Sequence, residues 1–205
     1  MGFLAGIVLG QNRSKTDSSK TSVTSTSQST GGDDMASMHA PAAPADNAKF
    51  QSLVGKPAPN FELTSFDGRN IKLSALKGRK VVIFFSEGAM CAPSCWDQMK
   101  SFASDAYFKD NGVDVLTIVV DDQATWAGAV NQDIKLNGAT VLLDTDKKVS
   151  EIYGALTVDS SMHRGSYPGH SYVVINKEGF IEKVFDDPNM RVNNFEIIET
   201  LKKVS

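Results

Sequence analysis

The chain has 205 residues, of which 41% are hydrophobic and 22% charged, with a formal net charge of −3. That is the composition of a soluble globular protein, long enough for one sizeable domain with an appendage. No basic block is large enough to mark a nucleic-acid partner, and two cysteines cannot build a disulfide framework, so the count leaves the redox compartment open.

Residues 1–10 contain a short apolar run, GFLAGIVLG. It falls far short of the roughly 20 residues that cross a bilayer. It is similar to the apolar core of a signal or anchor segment that lacks its basic front end. Arg13, Lys15 and Lys20 follow the run rather than precede it. We expect from it a membrane-anchored, extracytoplasmic protein, with a cytoplasmic location as the alternative.

Residues 11–52 read as a disordered tether. Between Gln11 and Thr30, 12 of 20 residues are Ser or Thr, and an Ala/Pro stretch reaches Pro44. Nothing there buries a core.

The folded domain is expected over 53–205. Asp67-Gly68-Arg69 is a turn signal between two short alternating runs and predicts a hairpin. Ser74 to Lys77 suits one helical turn closed by Gly78. Val81 to Phe85, VVIFF, is an unbroken apolar run that suits a strand buried on both faces. A helix is expected from about Pro93 to Lys109, with Trp96, Met99, Phe102 and Ala103 on one apolar face and Asn111-Gly112 as its stop.

Val113 to Val120 reads as a second buried strand. A helix from about Thr125 to Leu136, a short strand at Thr140 to Leu143 and a short helix at Lys147 to Tyr153 follow. Ser171 to Ile175 and Phe180 to Phe185 flank an Asn176-Lys177-Glu178-Gly179 turn, and a last helix spans about Asn194 to Lys203. Strand–helix–strand–helix followed by hairpin–helix predicts an α/β domain with a central mixed sheet and helices on both faces.

The chemistry concentrates between Val81 and Met99, where both cysteines lie. Pro93 suits a first helical turn because its missing N–H has no partner to lose there. Cys95 is then in that turn, where free N–H groups and the positive end of the helix dipole stabilise a thiolate. Two Cys four apart within one regular helix sit about 6 Å apart at Cβ, whereas a disulfide takes about 3.8 Å. Cys91 must therefore lie outside the helix if the two are to bond, and Ala92-Pro93 disfavours a helical Ala92. Two buried thiols acting as small hydrophobes are the plain alternative.

The segments Gly55 to Leu63, Lys77 to Phe85 and Val173 to Gly179 resemble the thioredoxin-fold redoxins, specifically the AhpC/TSA peroxiredoxin group, over residues 54 to 204. The resemblance implies a thioredoxin-like fold with an N-terminal β-hairpin extension. It also implies a thiol oxidoreductase with an antioxidant role and no cofactor, which reduces hydroperoxides or protein disulfides and is reset by an external, thioredoxin-like dithiol. Ala92-Pro93-Ser94-Cys95 is similar to the Thr-Pro-Gly-Cys of the bacterioferritin-comigratory type, so Cys95 resembles the peroxidatic cysteine and Cys91 a resolving one. A thioredoxin-like register instead favours Cys91 as the attacker. The family's Thr falls on Ala92 and its upstream Pro on Gly88; Ser94 and Ser86 carry hydroxyls nearby.

By the same resemblance His170 falls where thioredoxins place their cis-Pro and these peroxiredoxins an Arg that faces the thiolate. A catalytic set of Cys95, Cys91 and His170 follows, with Pro93, Ser94 and Arg164 on the substrate side. A strand-edge His with a satisfied hydrogen bond would look the same in the sequence. A second resemblance, to Sco-type copper chaperones, makes Cys91, Cys95 and His170 a copper ligand set, since thiolates with imidazole suit copper; Met90 and Met162 are soft ligands in principle. Asp121-Asp122 and Asp186-Asp187 follow predicted strand ends and are read as turn formers without chemistry.

Overall fold

A computed structural model describes Gly2 and residues 44–204. The expected signal-like run and most of the tether lie outside the described residues. The folded part begins earlier than Leu53: helix α1 (Ala48–Gln51) buries Phe50 completely. Asp46 N–H donates to the Thr157 carbonyl and Asn47 Nδ2 to the Asp159 carboxylate. One aromatic residue with a core to enter is enough to end the tether before residue 52.

Strands β1 (Glu62–Thr64) and β2 (Asn70–Lys72) form the expected hairpin around Gly68. The central sheet holds β3 (Val81–Phe85), β4 (Asp114–Val119), β5 (Val141–Leu143), β6 (Ser171–Ile175) and β7 (Ile181–Asp186). Its order is β5-β4-β3-β6-β7. The β3–β4 and β4–β5 pairs are parallel, β3–β6 and β6–β7 antiparallel. The mixed, thioredoxin-like sheet is thus as expected, and β3 is its middle strand.

Helices cover both faces. On one lie α2 (Ser94–Ser104), α4 (Gln123–Gln132) and α6 (Asn194–Lys203); on the other lie α1, the β1–β2 segment and α5 (Lys148–Tyr153). Between α2 and α4 comes α3 (Ala106–Asp110). It corrects the single helix expected to Lys109. Asp105 is extended at φ −80° and ψ 113°, and its carboxylate accepts from Tyr107 N–H at 3.1 Å. The break caps a new helix and turns Phe108 into the core.

The helix expected to Leu136 also stops early. Asp133 leaves helical geometry after Gln132, and its carboxylate is held by Lys100 Nζ on α2 at 2.8 Å. A 3-10 turn, Ile134–Gly138, takes over. Both corrections come from an Asp that found a tertiary partner, which periodicity does not register.

Candidate active site

The antiparallel β3–β6 pairing sets Phe85 opposite Ser171. The loop that leaves β3 and the residue that enters β6 therefore meet at the same end of the sheet. In that loop Ser86 and Glu87 are buried, a 3-10 turn covers Gly88–Met90, and Cys91, Ala92 and Pro93 lead into α2. The Ala92–Pro93 peptide is cis.

Two buried carboxylates hold the loop. Glu87 Oε1 accepts the backbone N–H groups of Met162 at 2.6 Å and His163 at 3.0 Å, and Oε2 lies 3.2 Å from His163 Nδ1. Asp121 Oδ2 accepts Ala89 N–H at 3.0 Å, and burial pushes the Asp121 carboxyl up from its ordinary pKa. Gly88 has φ +70°, and a Cβ there would lie 1.7 Å from that Asp121 oxygen. Glycine, where the family resemblance puts proline, is what lets the carboxylate reach the loop. Asp121 thus does more than form a turn.

Cys91 and Cys95 are joined by a disulfide with Cα atoms 5.4 Å apart, well inside the range such bonds span. As expected, Cys91 lies outside the helix; its carbonyl accepts Cys95 N–H at 3.0 Å. Cys95 is the second residue of α2, at the positive end of the helix dipole. It is fully buried, and Cys91 is 4% exposed.

His170 lies against the sulfur of Cys95: its Nδ1 is 3.5 Å from Cys95 Sγ. The ring packs edge-on against Phe84, centroids 4.8 Å apart. Its Nε2 is 3.1 Å from the Arg191 carbonyl oxygen and 2.6 Å from the Tyr172 hydroxyl. Burial drives the imidazole down to about 4, against the partial opposition of Arg191 and Asp187, so at neutral pH the ring is uncharged with the disulfide formed. Burial likewise pushes the Tyr172 phenol up.

The structure therefore brings Cys91, Cys95 and His170 together. Pro93 immediately precedes α2, and Ser94, its first residue, is half-buried. Arg164 Nη1 donates to the carbonyls of Asp159 and Ser161, in the loop that Glu87 holds. Met90 and Met162 are exposed. Among the described residues, no group of three or more His, Cys, Asp or Glu is arranged to hold a metal ion.

Several residues of the site are absent from the sequence reading. Gln98, Tyr172, Asn193 and Asn194 are buried polar groups hydrogen-bonded to one another behind His170. Asp187 joins them by accepting from Asn193 Nδ2 at 2.8 Å. Gln98 occupies a core-facing position of α2, where an apolar residue is the ordinary choice; that exception was the available signal.

Comparison with known proteins agrees with this fold. Residues 54–184 match the AhpC/TSA family. Chloroplastic peroxiredoxin Q of Oryza sativa subsp. japonica is 35% identical over 135 residues, 65% of this chain. The chain spans 58% of that relative's length. Peroxiredoxin Bcp of Escherichia coli K12 is 33% identical over 137 residues, 65% of this chain and 85% of the relative. Peroxidoxin BcpB of Mycobacterium tuberculosis superposes with a TM-score of 0.61 at 21% identity, over 74% of this chain and 97% of that one, a likeness of fold. The relatives do not favour a copper carrier. On its sequence match, its sheet and the cysteine pair at the head of α2, the chain belongs to the AhpC/TSA family.

Proposed function

We propose that the protein is a thiol-dependent hydroperoxide reductase in which Cys95 attacks, Cys91 resolves and His170 serves the attacking sulfur. The observation that carries the proposal is the 3.5 Å approach of His170 Nδ1 to Cys95 Sγ, on the sulfur already at the start of a helix. A neutral imidazole there takes the thiol proton and leaves a thiolate stabilised by the helix end and the imidazolium.

The Cys95 thiolate attacks the terminal oxygen of ROOH; the S–O bond forms, the O–O bond breaks, and the leaving alkoxide takes the imidazolium proton as ROH. The Cys91 thiol then attacks the Cys95 sulfenic acid, forming the disulfide and releasing water. An external dithiol of the thioredoxin kind returns both thiols and leaves as its own disulfide. Pro93, Ser94 and Arg164 are assigned to the substrate side, with the Ser94 hydroxyl in the part that the family's Thr would play at Ala92.

Location belongs to the same proposal: the apolar run in residues 1–10 and the Ser/Thr-rich stretch after it support a membrane tether on an extracytoplasmic domain. Among the described residues no helix is long and apolar enough to cross a membrane. Membrane fractionation of the full chain, against a version lacking residues 2–10, tests the tether; equal recovery in the soluble fraction would remove it.

The activity is tested by steady-state peroxide turnover with thioredoxin, its reductase and NADPH. Cys95→Ser is expected to be inactive, and Cys91→Ser to consume peroxide once and then fail to be recycled by the dithiol. Wild-type turnover in both variants would overturn the assignment.

A further inference from the structure

A neutral imidazole carries one N–H and one lone pair, and the chemistry at Cys95 depends on which of them faces the sulfur. The neighbours of His170 decide it by a count of donors and acceptors. The donor with no freedom is the backbone N–H of Asn193, which donates to Gln98 Oε1 at 2.7 Å. That orients the Gln98 amide, and its Nε2 donates to Asn194 Oδ1 at 2.8 Å. Asn194 is oriented independently, because its Nδ2 faces the Ser101 carbonyl and the Asp105 carboxylate, which only accept.

Gln98 Oε1 is therefore an acceptor 2.9 Å from the Tyr172 hydroxyl, and we assign the phenol's one proton to it over the Arg191 carbonyl, which lies 3.4 Å from the same hydroxyl. The phenol oxygen then offers lone pairs alone to His170 Nε2 at 2.6 Å. The Arg191 carbonyl at 3.1 Å from the same nitrogen also only accepts. We infer that Gln98, acting through Tyr172, is a positioning residue that holds His170 as the Nε2–H tautomer, so that the Nδ1 lone pair faces Cys95 and takes its thiol proton. This deepens the peroxidase reading and rests on it for the identity of the attacking sulfur.

Without Gln98 the phenol proton is released. The Tyr172 ring is stacked between Phe84 and Phe185, centroids 4.9 and 5.8 Å away, so only the hydroxyl hydrogen turns. Its nearest acceptor is His170 Nε2, and the Arg191 carbonyl keeps Asn193 Nδ2 as a donor at 2.9 Å. The ring proton then moves to Nδ1, where an N–H meets the thiol instead of a lone pair. The charges that act on this pair are the Asp187 carboxylate, which favours protonation of both groups, and the Glu196 carboxylate, which acts on Tyr172; the mostly exposed Arg191 guanidinium lies with its Nε 3.7 Å from Asp187.

The test uses reduced full-length protein with ¹⁵N-labelled histidine, in wild type, Gln98→Met, Tyr172→Phe and the double variant. Ring ¹⁵N shifts report the tautomer, and rapid mixing with hydrogen peroxide reports thiol loss. Wild type is expected to be Nε2–H. Gln98→Met is expected to move the proton to Nδ1 and to slow oxidation by about a hundredfold, the lower end of what a positioned general base contributes. Adding Tyr172→Phe removes the wandering donor, so the double variant is expected to return to Nε2–H and to react faster than Gln98→Met. A role for Gln98 in packing alone would make the double variant slower than either parent.

An Nδ1–H ring in wild type, an unchanged ring in Gln98→Met, or a double variant no faster than Gln98→Met would each overturn the inference. If Gln98→Met does not fold, Gln98→Glu decides: it keeps the acceptor for Tyr172 and is expected to stay Nε2–H, and an Nδ1–H ring there overturns it. Slow wild-type oxidation with an Nε2–H ring would instead defeat the peroxidase reading and leave the relay standing.

Discussion

The two faces of the central sheet are built from the same kinds of residue and do different work. Along β3, Val81, Ile83 and Phe85 pack on the face covered by α1, the hairpin and α5, while Val82 and Phe84 pack on the face covered by α2, α4 and α6. The first face is mostly hydrocarbon; its polar groups include the Tyr153 hydroxyl on the Pro59 carbonyl and the buried Asp144 carboxylate at the start of α5. The second holds the disulfide, His170, Tyr172 and Gln98. Alternation along a strand tells which residues share a face. It does not tell which face will carry the buried polar network. The lesson is that one layer supplies cohesion while the other holds the polar groups to which the proposed proton transfer is assigned.

Changes on the apolar face should cost stability and leave the chemistry alone. Ile83→Ala removes a fully buried side chain and is expected to destabilise by about 2–5 kcal/mol. Urea titration measures the loss, and the rate of Cys95 oxidation in the folded protein should not change. A slower Cys95 at full folding would show that the faces are coupled.

The polar face should show itself in pH. His170 is held at about 4 in the folded, oxidised protein against an ordinary 6.5, so between those values the unfolded chain binds more protons. Stability from the buried neutral ring is then complete above pH 6.5 and is lost as pH falls toward 4, by up to about 3 kcal/mol. Denaturation of the oxidised protein across this range, compared with His170→Asn, should show the slope in wild type and a flatter one in the variant.

A smaller effect sharpens the contrast. Asp144 is buried at the end of β5 and accepts from Val149 N–H, Ser150 N–H and the Ser150 hydroxyl at the start of α5. Asp144→Asn keeps the shape but turns an amide NH2 toward one of those donors, an expected cost of about 1.5–2 kcal/mol. Thermal melts measure it, with peroxide reactivity unaffected.

Much of the architecture was legible because it depends on local pattern. The VVIFF run, the Asp67-Gly68 and Glu178-Gly179 turns and the final helix at Asn194–Lys203 all stand where the periodicity puts them. The breaks at Asp105 and Asp133 were not legible, because each depends on a residue far along the chain, Asn194 for one and Lys100 for the other. The start of the fold was misread because one Phe in a polar stretch has no periodicity. In the site, the cysteines declare themselves by rarity and spacing, and the resemblance supplied the register of His170. Gln98, Tyr172 and Asn193 meet only through the sheet and the return of α6, so the polar residue at a core-facing position of α2 was the one local sign of them.

Trapping the sulfenic acid distinguishes an attacking Cys95 with a resolving Cys91 from the reverse. Reduced Cys91→Ser and Cys95→Ser proteins are each mixed with one equivalent of hydrogen peroxide and a sulfenate-specific nucleophile, and the labelled peptides are identified by mass spectrometry. Rapid labelling of Cys95 is expected in Cys91→Ser, with Cys91 in Cys95→Ser oxidised no faster than an ordinary free thiol. Rapid labelling of Cys91 with an unreactive Cys95 would reverse the two roles and leave His170 without its assigned part.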